Sequence, residues 1–531
     1  MNTNPHLRFL IGLSIISLSV INCQETNQTS PPYLPSAITV SGDRFADDQG
    51  RQIILNGINI VNKSKEEGYI FKGGPDLYRK LGTWGINCIR FIIIWDRLEP
   101  TPGQYNEAYL QEIDACIEQA AEQGIFVVLD MHQDLYSVKY SDGAPEWATL
   151  DEGKPHTTGA IWSDAYMLSA AVQTAFDNFW ANRPAVDGIG LQDHYAALWQ
   201  HIAKRYADNA TVIGYDPMNE PFPGSTAQQS TLTLLHAYGQ LHYDRTGIQL
   251  NEQQLGEMWG NEESRMEVLD VLASRENYDR VFSTLYPLNN SFETQQLQKM
   301  YQKVADAIRE VDQTGILFLE HSYYSNTGVE SSISRVSLAN GAPDPQVAYA
   351  PHGYDLVTDT EAVAAASNER VTYIYDQIKL TGSRLKMPIW LGEWGAFYGN
   401  SESVIPAAEN AITLIEKNLF SQAYWSYDPG TEDLAYFKQV LTRTYPLATN
   451  GDLIAYENDF TRGTFSMKWK EQATNTGVTV IYCPKISSIK DIVLVDKGPH
   501  DFEKLPDSDA GYIIISPNGG LTVRDVQITF K

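Results

Sequence analysis

Eight short apolar runs punctuate the first four-fifths of the chain: "IILNGINI", "INCIRFIII", "IFVVLDM", "VIGYD", "GILFLE", "VAYAPH", "PIWLGEW" and "QAYWSYD". Between them lie amphipathic stretches such as "NEAYLQEIDACIEQAAEQG" and "DHYAALWQHIAKRYADN". In the second, Tyr195, Leu198, Trp199, Ile202 and Tyr206 recur at helical spacing. Strand and helix alternating eight times predict an α/β chain folded as a (β/α)8 barrel, the TIM barrel. A doubly wound sheet shares the rhythm, but no Gly-rich phosphate loop follows the first run.

From about residue 447 the rhythm changes. "FSMKWKE", "GVTVIYC", "DIVLVDKG", "AGYIIIS" and "LTVRDVQITF" are short alternating runs divided by turn residues, with no long helix between them. They predict a small antiparallel β-sandwich over 447–531, following a barrel over 38–446. Residues 225–300 break the barrel rhythm with a long polar, mostly helical excursion between strands four and five. At the C-terminal end of a barrel strand, an insertion of that size overhangs the active face and is expected to act as a substrate-shaping lid.

Residues 1–23 read as an export signal: Arg8, the apolar run "FLIGLSIISLSVI", then Cys23. The run is too short for a typical transmembrane helix. "SVINC" resembles a bacterial lipoprotein cleavage box, with Asn22 where a small residue is usual. Both a lipid on Cys23 and simple secretion therefore stand as expectations, and residues 24–37 read as a tether. Either route places the protein outside the cytoplasm. Cys88, Cys116 and Cys483 lack metal-like spacing and are expected to be buried thiols. A formal charge of -27 argues against nucleic acid and against an electrostatic hold on anionic lipid. It leaves neutral partners, sugars among them.

In a barrel the functional side chains project from the C-terminal ends of the strands. Those ends carry Arg90 on strand two, Asp130, His132 and Asp134 on strand three, and Asn219 and Glu220 on strand four. Strand six carries His352 and Tyr354, strand seven Glu393, and strand eight Trp425 and Asp428. Glu220 and Glu393 come from strands lying across the mouth, where two long carboxylates can approach one sugar from opposite sides. Glycosidic cleavage needs that pair: one acid to protonate the leaving oxygen, one carboxylate facing the anomeric carbon. A carboxyl separation of about 5–5.5 Å would predict retention of configuration. A neighbouring Glu393 would raise the proton affinity of Glu220, as an acid needs, and Arg90 would help keep Glu393 ionised. No cofactor is implied. A metal is not expected either, since Asp130, His132 and Asp134 make a crowded site without a clear fourth ligand.

The Asn-Glu-Pro of "IGYDPMNEPFPG" with the Glu of "LGEWG" resembles the retaining glycosidases that include glycoside hydrolase family 5. More narrowly, "LDMHQDLYSVKY", "DGAPEWAT", "AFDNFW" and "YWSYDPG" make residues 40–445 similar to the endoglycoceramidases, which release intact oligosaccharide from the ceramide of glycosphingolipids. The resemblance implies Glu220 as acid/base, Glu393 as nucleophile, and Arg90 as the support of the nucleophile. It implies Asn219 on the sugar 2-hydroxyl, Tyr354 beside the nucleophile, and Lys63, His132, Asp134, Trp180, His352 and Trp425 as substrate-binding positions. A glycosphingolipid is the implied partner, with membrane contact through the substrate or a lipid on Cys23. An exo-acting β-glucosidase or glucosylceramidase, or a cellulase-like hydrolase, is the alternative.

Overall fold

The computed structural model describes residues 31–531 except 160, 359, 361, 400–401, 473–476 and 521. The export signal, Cys23 and the first half of the tether lie outside the described residues. Eight parallel strands form the barrel: Asn56–Ile60, Cys88–Ile94, Phe126–His132, Val212–Asp216, Ile316–Leu319, Val347–Tyr349, Trp390–Leu391 and Ser421–Tyr427. The sixth and seventh are joined by a bridge between Tyr349 and Ile389, and beyond it His352 pairs with Glu393 in parallel register. That register carries a residue from each of two strands to the same height at the mouth.

Strand two, "CIRFIII", is buried at all seven positions, because both faces of a parallel barrel strand are covered. Alternation then divides the burial into two cores. Ile89, Phe91, Leu129, Leu317 and Leu319 pack outward with helix residues such as Ile113, Ile117 and Trp199. Cys88, Val128, Phe318, Ala348, Trp390 and Ala423 point inward and join a second cluster with Phe45, Leu447, Ile481 and Ile513. The lower interior of the barrel is thus continuous with the core of the β domain.

That continuity corrects one expected boundary. Residues 38–53 were assigned by pattern to the barrel, yet Ile38–Ser41, Arg44–Asp47 and Gln52–Ile53 form one side of a seven-stranded sheet. Gln52–Ile53 pairs with Tyr445–Thr449, which pairs in turn with Thr479–Cys483. The physical reason is the open bottom of the barrel: Phe45 stacks on Phe318 at 6.1 Å, closing it from below. A second sheet, ordered Asp452–Asp459, Thr464–Lys470, Val523–Phe530, Ile489–Leu494, completes the sandwich.

The chain between strands four and five is helical, as expected. Helices Thr226–Thr246, Glu252–Gly260, Glu262–Val271, Arg275–Phe282 and Tyr286–Phe292 precede the outer barrel helix Gln298–Arg309. Asn251 starts the second with a capping box closed by Gln254. The insertion packs on the helix Asn368–Leu385, where Arg370 donates to the Leu269 carbonyl at 2.9 Å and Ser367 to that of Ala273. Cys88, Cys116 and Cys483 are buried free thiols. Among the described residues no helix is long and apolar enough to cross a membrane.

Candidate active site

Arg90 stands inward on strand two, fully buried, and organises the mouth. Its Nη1 donates to Glu393 Oε1 at 2.6 Å and to Asn59 Oδ1 at 3.2 Å. Its Nε donates to Asp216 Oδ2 at 3.0 Å, and Nη2 to Glu320 Oε1 at 2.8 Å and Asn219 Oδ1 at 3.0 Å, with Asp130 Oδ1 also 3.0 Å away. One guanidinium cannot neutralise four buried carboxylates, and the surplus charge shows at Asp216. Burial first, then the charge of Glu320, pushes the Asp216 carboxyl well above the usual range.

Glu220 and Glu393 face each other across this hub. A carboxylate oxygen of each lies with a ring nitrogen of His352 in a group no more than 4.8 Å across. His352 Nδ1 is 3.0 Å from Glu220 Oε1 and 3.5 Å from Glu393 Oε2, and its Nε2 is 3.2 Å from Glu320. Tyr354 donates its hydroxyl to Glu393 Oε2 at 2.9 Å. Burial pushes the Glu220 pKa up to about 7, His352 opposes, and the charges of Glu393 and Glu320 add to the rise. Glu220 thus holds a proton near neutral pH. Burial works against charging His352, but Glu320 and Glu393 outweigh it and hold the imidazole pKa well above its usual value.

The backbone at Glu220 is left-handed, with φ of 44°, a conformation a long side chain adopts only when its surroundings impose it. Glu320 Oε2 accepts from the Glu220 N–H at 2.8 Å, and Gln133 donates to the Asn219 carbonyl at 2.9 Å. Asn219 itself donates to the Gln133 carbonyl at 3.1 Å.

On the far side His132 stacks on Trp425, 5.3 Å apart and 14° from parallel. Burial and Lys63 oppose its charging, while Asp130, 2.8 Å from Nδ1, and Asp134 raise the pKa to about 9. Lys63 pairs with Asp134 and lies 4.7 Å over the Trp425 ring. Asp134 is lowered to about 2, Lys63 outweighing burial, whereas Asp142 beside it is raised to about 6 by burial and then by Asp134. Three groups of donors are close enough to hold a cation: His132, Asp134 and Asp142; Glu220, His352 and Glu393; and Asp130, Asp216 and Glu320. The first has Lys63 paired to it, and Arg90 is paired to Glu393 in the second and to all three carboxylates of the third.

Lys63, Arg90, His132, Asp134, Asn219, Glu220, His352, Tyr354, Glu393 and Trp425 therefore converge. Trp180 does not. Its indole donates to the Phe222 carbonyl at 2.8 Å and packs with Phe176, Phe179 and Phe292 in the helical core, behind the loop after Glu220. Asp428 stays on an exposed turn. Glu320, Asp216, Gln133, Asn59 and Asn326 were missed. Glu320 ends "GILFLE" and Asp216 ends "VIGYD", so the strand-end rule applied to strand five and three residues before Asn219 on strand four would have found both. Asn326 donates to Glu220 Oε1 at 2.7 Å from a 3-10 turn well past its strand, where no periodicity marks it.

Residues 46–431 match the family described as Cellulase (glycosyl hydrolase family 5), and residues 443–514 the glycoside hydrolase family 5 C-terminal domain. The chain is similar to endoglycoceramidase I of Rhodococcus hoagii, 22% identical over 82% of this chain and 78% of that one. It is 33% identical to the endoglycoceramidase of Cyanea nozakii over 36% of this chain, spanning 42% of that relative's length. The solved endo-glycoceramidase II from Rhodococcus sp. superposes with a TM-score of 0.69 at 26% identity, covering 91% of this chain and 98% of that one. That enzyme has also been solved as a lactosyl-enzyme intermediate and as a complex with ganglioside GM3, each 25% identical to this chain. With the family match covering the whole span from strand one to the turn after strand eight, the chain belongs to glycoside hydrolase family 5.

Proposed function

We propose that the protein is a retaining endo-β-glycosidase that cleaves the bond between oligosaccharide and ceramide in glycosphingolipids. The observation that carries the mechanism is the approach of Glu220 and Glu393, whose oxygens come within 4.8 Å. Inverting enzymes hold their carboxyls about 6.5–9.5 Å apart to admit a water between them. In the first step Glu393, held by Arg90 and Tyr354, attacks the anomeric carbon while Glu220 gives its proton to the leaving oxygen. Once Glu393 is an ester its negative charge is gone, one cause of the raised Glu220 pKa disappears, and Glu220 becomes a base toward water. Trp425, backed by His132 and Lys63, offers a ring face for a sugar. The endoglycoceramidase relatives and the ganglioside complex of the solved homologue support the choice of substrate.

Mass analysis of products from gangliosides, globosides and cerebrosides tests this reading. Whole oligosaccharide released from a ganglioside is expected; single glucose units from glucosylceramide alone would mean an exo enzyme instead. NMR of the first-formed sugar should show the β anomer, and an α anomer would refute the two-step path. Glu220→Ala should recover rate on substrates with activated leaving groups. The apolar run before Cys23 supports export, with the enzyme secreted or held by lipid on that cysteine; mass spectrometry of the mature N-terminus separates the two.

A further inference from the structure

Glu220 Oε1 accepts two hydrogen bonds, from Asn326 Nδ2 at 2.7 Å and His352 Nδ1 at 3.0 Å. The orientation of the Asn326 amide follows from its other neighbour. His321 is buried, and burial and then the charge of His352 push its pKa down to about 3, so the ring is neutral and carries one N–H. Its Nε2 faces the His352 carbonyl at 3.1 Å, which can only accept, so the hydrogen sits on Nε2. Nδ1 then accepts from the Tyr349 hydroxyl at 2.7 Å. Asn326 Oδ1, 3.0 Å from Nε2, accepts from the same N–H, and the amide NH2 is left facing Glu220. The backbone carbonyl of Asn326 accepts from Tyr354 N at 3.0 Å, and Tyr354 dresses Glu393. One residue thus touches the supports of both carboxylates.

The turn Tyr323–Thr327 that carries Asn326 is fastened by the inserted chain. Tyr278 donates to the Thr327 carbonyl at 2.7 Å. Asn289 donates to Ser325 Oγ and to the Glu330 carbonyl, both at 3.0 Å, and accepts from Ser322. Glu293 accepts from Ser322 N at 2.9 Å, Ser331 Oγ at 3.0 Å and Ser332 N. Tyr278, Asn289 and Glu293 are all buried, so these bonds are shielded from exchange with water.

We propose that Asn326 is a positioning residue for the acid/base, and that the insertion between strands four and five is the clamp that holds it there. With Oε1 occupied by two donors, the proton that Glu220 delivers is carried on Oε2. Donation from Asn326 also favours the carboxylate over the acid, easing proton release. Glu220 is otherwise faced by His352 and Tyr354 from strand six, Glu393 from strand seven, Glu320 from strand five, and Tyr166 from the helix Asp164–Leu168.

This inference rests on the assignment of Glu220 as acid/base but not on the lipid substrate. The test is the titration of Glu220 by 13C NMR in protein labelled at the Glu carboxyls, alongside kcat/KM against pH on aryl β-lactosides. Asn326→Ala should raise the Glu220 titration and the alkaline limb by about one pH unit, the size expected of one charge-assisted hydrogen bond. Phenyl lactoside should lose about tenfold more rate than dinitrophenyl lactoside, which needs no proton. Asn326→Asp keeps the shape of the side chain and should raise the titration further. Asn289→Ala, which touches neither carboxylate, should move it in the same direction by less. A Glu220 titration unchanged in both Asn326 variants overturns the proposal, and so does an equal loss on both lactosides. Failure to release glycan from gangliosides with the shift intact would refute the substrate and leave the inference standing.

Discussion

The barrel interior holds two layers built from the same strands. Below, Cys88, Val128, Phe318, Trp390 and Ala423 are apolar and run into the sandwich core. Above, often only two residues further along a strand, come Arg90, Asp130, Glu320 and Trp425. Both layers are buried, yet only the lower one gains free energy by leaving water; the upper one is held by charge pairing that roughly balances its desolvation cost. Backbone and burial are shared, so the change from scaffold to catalyst is made by side-chain chemistry over a rise of about 7 Å.

The sharpest way to break the comparison is Glu393→Gln. It should lower kcat/KM by roughly ten-thousandfold or more and leave the thermal midpoint near that of the wild type, with substrate binding retained by calorimetry. Next comes a matched pair. Arg90→Leu strands four carboxylates and should destabilise by about 3–5 kcal/mol, while Phe318→Ala, one layer down, should cost about the same through a cavity. Denaturant unfolding should not distinguish them. Activity per folded molecule should: Phe318→Ala keeps it and Arg90→Leu loses it, and equal activities would erase the distinction between layers. Tyr354→Phe removes a single donor from Glu393 and should lower kcat by roughly a hundredfold.

The smallest effect is a slope. Burial pushes the Glu293 carboxyl up to about 7 against the hydrogen bonds it accepts. A raised carboxyl pKa means the native state binds the proton more tightly than the unfolded chain does. Its contribution to stability is complete below about pH 4.5 and is lost as the pH rises through about 7. The melting temperature of Glu293→Gln should therefore fall less between pH 5 and pH 8 than that of the wild type. An equal fall in both proteins would show that Glu293 is not the source.

What could be read from residue order follows from the same layering. All eight strands were legible because burial on both faces leaves continuous apolar runs, as in "CIRFIII", and the mouth residues because they interrupt those runs at the strand ends. The strands at residues 38–53 were recognisable only as short chain; their partner is Tyr445–Thr449, and nothing local announces a pairing at that separation. Trp180 is ambiguous in residue order because an aromatic ring reads alike as core or as sugar platform. Asn326 was invisible since its position depends on bonds made by Tyr278, Asn289 and Glu293 from another part of the chain.

The seven-stranded sheet has a consequence for anyone who would recombine this protein. Three of its strands come before the barrel and four after it, so the sandwich is a discontinuous unit with the catalytic barrel spliced into its middle. A cut at residue 446 would not release a movable module. It would leave the C-terminal piece lacking the Gln52–Ile53 neighbour of Tyr445–Thr449, and the strand that carries Phe45 without the rest of its sheet. Grafting this β domain onto another enzyme requires carrying both ends of the chain, and the barrel is the piece that can be exchanged as an insert.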